Sequence, residues 1–230
     1  MAWPTWSSDY PINPPLATAI TGATIPATKR AVHRLKWCVM MDRRTKRDFR
    51  FRDTRLCFTL PATLGDRGLP TPYERLSEPT DLARWCVEAG LLSRPPAVTA
   101  EELNQAIALR EAIQRVGEAI ADTRAPEKAD IARINSAAAV VPLAPQLSDD
   151  AAAFSWSGTS LDSALAVIAR DAVELFTGSL RRRIKICAHT SCRGLFVDES
   201  RPGQRRWCSM TTCGDKAKKT TYRARLRTTS

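Results

Sequence analysis

Histidine is almost missing from this chain. His33 and His189 are the two in 230 residues, so general acid–base catalysis lacks its usual agent near neutral pH. A glycine-rich phosphate loop, a His-Glu-x-x-His pair and a Gly-x-Ser-x-Gly elbow are also absent. The chain is therefore expected not to be an enzyme. No apolar run approaches the roughly 18 residues of a membrane span. Residues 1–20 show no basic start leading into an apolar stretch, so no signal segment is expected. With seven cysteines and no sign of secretion, the expected compartment is a reducing cytoplasm. Internal repeats are absent, and beyond residue 28 so is low-complexity sequence.

What is plentiful is positive charge, and its placement is uneven. The net charge is +11. Residues 181–230 hold 14 Lys/Arg against 3 Asp/Glu, and residues 29–55 hold 11 against 3. The stretch between them, 56–180, is acidic, with 10 basic and 17 acidic residues. An acidic body between two basic segments suits a protein that meets its partner electrostatically. At this length one ordinary domain and a small one are expected, with a sizeable core.

The clearest local signal is Cys187-x4-Cys192-x15-Cys208-x4-Cys213. Two matched cysteine pairs with a short insert have the spacing of a structural zinc site. Four thiolates fill a tetrahedron, so the site is closed: it organises the chain and does not activate water. His189 is a bystander to a set that is already complete. The insert reads as a strand, Leu195 to Asp198, a turn at Arg201-Pro202-Gly203-Gln204 with Pro and Gly central, and a return strand, Arg205 to Cys208. Asp215 to Arg227 reads as a basic helix. Knuckle, hairpin and helix make a treble-clef-like order, with the helix amides near the thiolates. Cys38, Cys57 and Cys86 have no ligand spacing and are expected to be buried thiols.

Residues 1–45 read as an extension arm without periodicity, 46–180 as a mainly helical α+β domain with a few strands, and 181–230 as the finger. Phe49 and Phe51 alternate with charges, which fits a half-buried strand or an arm that folds on an anionic partner. Residues 55–60 form a second strand candidate ending at Pro61. Helices are expected from an N-cap at Thr80 to Gly90, from the capping box Thr99-x-x-Glu102, over Ala129 to Val140, and from Ser160 to Gly178. Residues 141–158 suit a hairpin or an irregular connection. The linker into Cys187 is short, so the finger is expected to pack on the domain.

The run Cys192-Arg-Gly-Leu-Phe-Val-Asp198-Glu-Ser200, then Arg205-Arg206-Trp207-Cys208-Ser209-Met210-x-x-Cys213-Gly214, resembles the CGNR zinc-finger family of bacterial proteins. The family is named for Cys-Gly-Asn-Arg. This chain has Cys213-Gly214-Asp215-Lys216 there, and Lys does not replace Arg at a bidentate contact. Asp81-Leu82-x-x-Trp85, Gly90-Leu91 and Leu109-Arg110-Glu111-Ala112 are similar to the ABATE domain that accompanies this finger. The resemblance implies a stress-linked transcription regulator.

One structural zinc and nucleic-acid binding, duplex DNA foremost, are thus expected. Arg201, Arg205 and Arg206 at the hairpin, and Lys216, Lys219, Arg223 and Arg227 on one helix face, are the candidate contacts. The acidic domain would sense a small ligand or meet a protein. The alternatives are a zinc-stabilised protein-interaction module and an RNA binder. Phe196, Trp207 and Tyr222 are expected to fill the finger's small core, which leans against single-strand stacking.

Overall fold

The computed structural model describes residues 48–51, 55–147, 151 and 153–228, without the side chains of 224, 227 and 228. The arm expected over residues 1–45 and most of the first basic segment lie outside the described residues, as does Cys38.

The amino-terminal part is a helical body with two minor antiparallel strand pairs. β1 (Leu64–Gly65) pairs with β2 (Tyr73–Glu74). Helix α1 (Pro79–Glu88) follows. Its N-cap is Glu78, two residues before the expected Thr80, because Pro79 is pre-set for the first helical position. The Asp81 carboxylate accepts from the backbone N–H of Ser77 and Glu78 and closes that end. At the other end Gly90 takes φ +72°, and its N–H and that of Leu91 donate to Val87 and Cys86. This is a Schellman stop, which needs a residue without a Cβ penalty.

Helix α2 (Ala100–Ala121) starts on the expected reciprocal box. Thr99 Oγ1 accepts from Glu102 N–H, and Glu102 Oε2 accepts from Thr99 N–H. Leu103, Ala106, Leu109, Ile113 and Val116 are buried along one stripe. α3 (Lys128–Ala139) leads to the hairpin of β3 (Ala144–Leu147) and β4 (Phe154–Ser157), in register Ala144↔Ser157. α4 (Leu161–Thr177) begins on the Ser160 cap and stops at Gly178. Trp85, Leu60, Leu82, Ile113, Ile168 and Leu175 form the centre of the core these elements share. The fold is α+β with a mainly helical body, as expected. No helix among the described residues is long and apolar enough to cross a membrane.

One strand expectation is corrected. Residues 55–60 form no strand: Leu56–Phe58 is a 3-10 turn, and a second one, Pro61–Thr63, follows. Helix α4 captures this stretch from the side. Asp171 accepts from Cys57 N–H at 2.7 Å and pairs with Arg55 at 2.7 Å, and Pro61 has no N–H for a ladder. Phe49 and Phe51 also lie outside any strand, although Phe49 is buried and Phe51 packs on the same core.

The carboxyl-terminal module is built into this body. A five-residue 3-10 turn, Ser179–Arg183, joins α4 to β5 (Ile184–Ile186), which pairs with β6 (Leu195–Val197). Ile184, Leu195 and Val197 belong to the body's own apolar core. A second tie comes from charges set in the middle of α2. Arg110 is 3% exposed and bonds Glu74 and Glu111, each at 2.7 Å. Glu111 in turn holds Arg67 in a two-pronged pair at 2.8 and 3.1 Å. The next residue, Gly68, donates its N–H to the carbonyl of Ser191. A Cβ at Gly68 would sit 1.7 Å from the carbonyl oxygen of Thr190. Backbone cannot yield as a side-chain tip can, so Gly68→Ala is expected to cost about 1–3 kcal/mol. Urea unfolding should show a lowered midpoint with zinc content retained; an unchanged midpoint would sink the docking argument.

Candidate metal centre and cationic surface

β5 and β6 are the arms of a hairpin whose loop is the first knuckle. Cys187 N–H donates to Gly194 at 2.8 Å and Cys192 N–H to His189 at 2.9 Å, which folds Cys187 and Cys192 toward each other. The second knuckle runs from Cys208 into a π-turn, Met210–Gly214, closed by Gly214 N–H on Ser209. Helix α5 (Asp215–Thr228) starts directly after it. The four sulfurs of Cys187, Cys192, Cys208 and Cys213 all lie within 4.8 Å of one another. Cys192–Cys208 and Cys208–Cys213 are each 3.7 Å apart. A zinc tetrahedron with bonds near 2.3 Å sets its sulfurs about 3.8 Å apart, so the geometry fits one structural zinc.

The protonation chemistry fits as well. Without a cation, hydrogen bonding among the crowded sulfurs pulls Cys187 down and pushes Cys208 and Cys213 up. Such a cluster cannot carry four thiolates until a divalent ion neutralises them. Phe196 is buried beside Cys187 and Cys213, with Trp207 packed against them. His189 faces Ser191 Oγ at 3.1 Å, and the four-sulfur cluster does not include it. Cys57 and Cys86 are buried, form no disulfide and are not part of the four-sulfur cluster; burial pushes Cys86 up to about 12.

The insert departs from the expected hairpin. β6 pairs backward with β5, and residues 205–208 form no return strand. The cause is Asp198, a buried carboxylate that the motif contained but the sequence reading did not single out. It accepts from Lys185 Nζ at 2.7 Å, Ser200 N–H at 3.1 Å, Ser200 Oγ at 2.5 Å and Arg205 N–H at 2.9 Å. One side chain thus satisfies the donors that a strand ladder would have used. The turn also closes one residue earlier, with Gly203 N–H on Ser200 O. Burial alone would raise the Asp198 carboxyl; the bonds from Lys185, Ser200 and Arg205 outweigh it and hold the group well below the usual range.

The expected cationic residues divide into two groups. Arg205 points inward: its Nε donates to Trp207 O at 2.9 Å, its Nη2 to Cys208 O, and its guanidinium lies over Phe196. It braces the second knuckle. Arg201 is exposed at the turn, and Arg206 is exposed with its guanidinium 5.3 Å from the Trp207 ring centroid. Lys216, Lys219 and Arg223 are exposed along α5. Arg227 is in the last turn of α5, and its side chain lies outside the described residues. Tyr222 does not join the core: it is 64% exposed. At the named departure from the Cys-Gly-Asn-Arg pattern, Asp215 and Lys216 both face solvent.

Fold and site together define a zinc-finger protein in which a helical body holds a closed four-cysteine module. The ABATE family profile, described as "putative stress-induced transcription regulator", matches residues 54–179, and the CGNR zinc-finger profile matches residues 183–226. The chain belongs to the ABATE family and carries a CGNR zinc finger. It is a zinc-binding protein of this regulator class. A search of curated proteins finds no match to the chain.

Proposed function

We propose that this chain binds nucleic acid through its finger, duplex DNA foremost, and regulates bacterial transcription from the cytoplasm without being an enzyme. The observation that supports this most is the exposed row Lys216, Lys219 and Arg223 on a helix anchored at its start by the cysteine cluster. These positions share one helix face, and a row of cations on a rigid rod matches a row of phosphates. Arg201 and Arg206 extend the same charge onto the insert. Arg205 leaves the contact set, because its guanidinium is occupied with carbonyls.

The triple variant Lys216→Ala, Lys219→Ala, Arg223→Ala tests the proposal. Each lost phosphate contact should lower the log–log salt slope by about 0.9, or roughly 3 for the triple variant, with weaker binding to every duplex sequence. Duplex affinity measured across a salt series gives the answer; an unchanged slope sinks the assignment.

A second reading has an observation of its own. Val141, Leu147 and Phe154 leave apolar surface exposed on the body, which suits a protein partner there. That reading requires tight, salt-tolerant binding to one protein and little affinity for any nucleic acid.

A further inference from the structure

The finger carries a second cationic surface that the phosphate row does not use. A groove of about 630 Å³ runs between the first knuckle and α5. His189 lines it from the first knuckle, Arg206 and Trp207 from the insert, and Lys218, Tyr222 and Arg225 from the helix. The last three stand at i, i+4 and i+7, so they form one face, turned roughly 125° from the Lys216–Lys219–Arg223 face. Among the described residues lining the groove there is no carboxylate.

Its aromatic content sets it apart from an ordinary charged surface. Tyr222 was expected to fill the finger core, yet Phe196 and Trp207 do that alone and Tyr222 stands 64% exposed. The Arg206 guanidinium lies over the Trp207 ring, so cation and π-face are already stacked at the groove wall. Phosphates alone would need only the cations. Rings interleaved with cations, in a groove within the usual 300–1,000 Å³ of ligand sites, suit a planar base joined to a phosphate.

We infer that this groove holds an unpaired nucleotide of a DNA strand, with its base against Tyr222 and its phosphates near Arg206, Lys218 and Arg225. The inference rests on the nucleic-acid reading above and sharpens it. The duplex meets one face of α5, and a base that has left the stack meets the other. A paired base cannot reach the site, because its faces are already covered by its neighbours.

The test uses the full zinc-loaded chain and three probes at one salt concentration. They are a plain DNA duplex, the same duplex with a single-stranded DNA extension, and that duplex with an RNA extension. Stacking of one base is worth about 1–3 kcal/mol, so the DNA extension should tighten binding roughly 5- to 150-fold. Tyr222→Ala should bring the ratio of extended to plain affinity close to one, and Tyr222→Phe should keep it. Because Tyr222 is exposed, zinc content should stay the same in both variants, which separates lost stacking from a lost fold. A ratio near one in the parent chain, or a high ratio that survives Tyr222→Ala, overturns the inference and leaves the duplex reading standing. An equal gain from the RNA extension overturns its assignment to DNA. Binding of the extended DNA but not the plain duplex, still dependent on Tyr222, supports the groove and overturns the duplex reading. Binding to none of the probes overturns both.

Discussion

Cys208→Ser should strip the chain of its single zinc and unfold the finger. Cys208 lies 3.7 Å from both Cys192 and Cys213 and is one of four sulfurs mutually within 4.8 Å. Serine offers a harder, less acidic ligand that zinc accepts poorly. Without the ion, the finger's own core amounts to Phe196 and Trp207 among the thiols, too little to offset the chain entropy of a module this size. Structural zinc supplies about 10–16 kcal/mol in isolated fingers, which is as large as the whole stability of a typical domain. The damage should also reach the body, since Ile184, Leu195 and Val197 sit in its core. Metal analysis should fall from one zinc per chain to none, proteolysis should open residues 183–228, and the thermal midpoint of the remainder should drop. A zinc-free chain whose finger stays protected would refute the site.

The two parts of the chain were legible to different depths. The helices could be read because each carries its own signal: the Thr99–Glu102 box, the Gly90 stop and the Ser160 cap all act within a few residues. The cysteine set could be read because metal geometry restricts spacing. The strands were misread wherever a side chain, near or distant in sequence, took the backbone's partners. Asp171 on α4 takes the N–H of Cys57, and nothing near Cys57 in sequence announces it. Asp198 takes the N–H groups of Ser200 and Arg205, so an apparent return strand becomes a loop around a carboxylate. The same limit explains Arg205 and Tyr222. A run of arginines gives no sign of which one turns inward, and an aromatic on a short helix gives no sign that the core is already full. Arg110 and Glu111 did leave a trace, as two charges inside the apolar stripe of α2. That trace becomes meaningful only when Arg67 and Gly68 are seen to carry the connection to the first knuckle.

Asp198→Ala should be the most damaging change outside the four ligands. The carboxylate is fully buried and is the common acceptor for Lys185, Ser200 and Arg205. Removing it leaves the Lys185 ammonium facing only carbonyls and frees the loop between β6 and the second knuckle. Because the Lys185 side chain is 32% exposed and water can reach it, the cost should be that of buried donors left unsatisfied, about 1–3 kcal/mol, below the cost of breaking a fully buried ion pair. The consequence should extend to the metal, because the Arg205 backbone held by Asp198 positions the guanidinium that braces Trp207 and Cys208. Partners behind a ligand are worth about 10- to 100-fold in metal affinity, so zinc transfer to a competing chelator should quicken by a similar factor. Asp198→Asn, which keeps the shape but not the charge, should fall between the parent and the alanine variant. The pH dependence separates the two sources of stability. The Asp198 carboxyl is depressed in the folded state, so its contribution is complete above its unfolded value near 3.9 and is lost as pH falls through the folded one. The thiolates compete with protons at higher pH, so loss of the finger between about pH 7 and 5 reports zinc release. In that window the parent and Asp198→Ala should both lose zinc on acidification, with the variant's midpoint at the higher pH. If the two midpoints coincide and stability differs by less than about 1 kcal/mol, Asp198 only fills space.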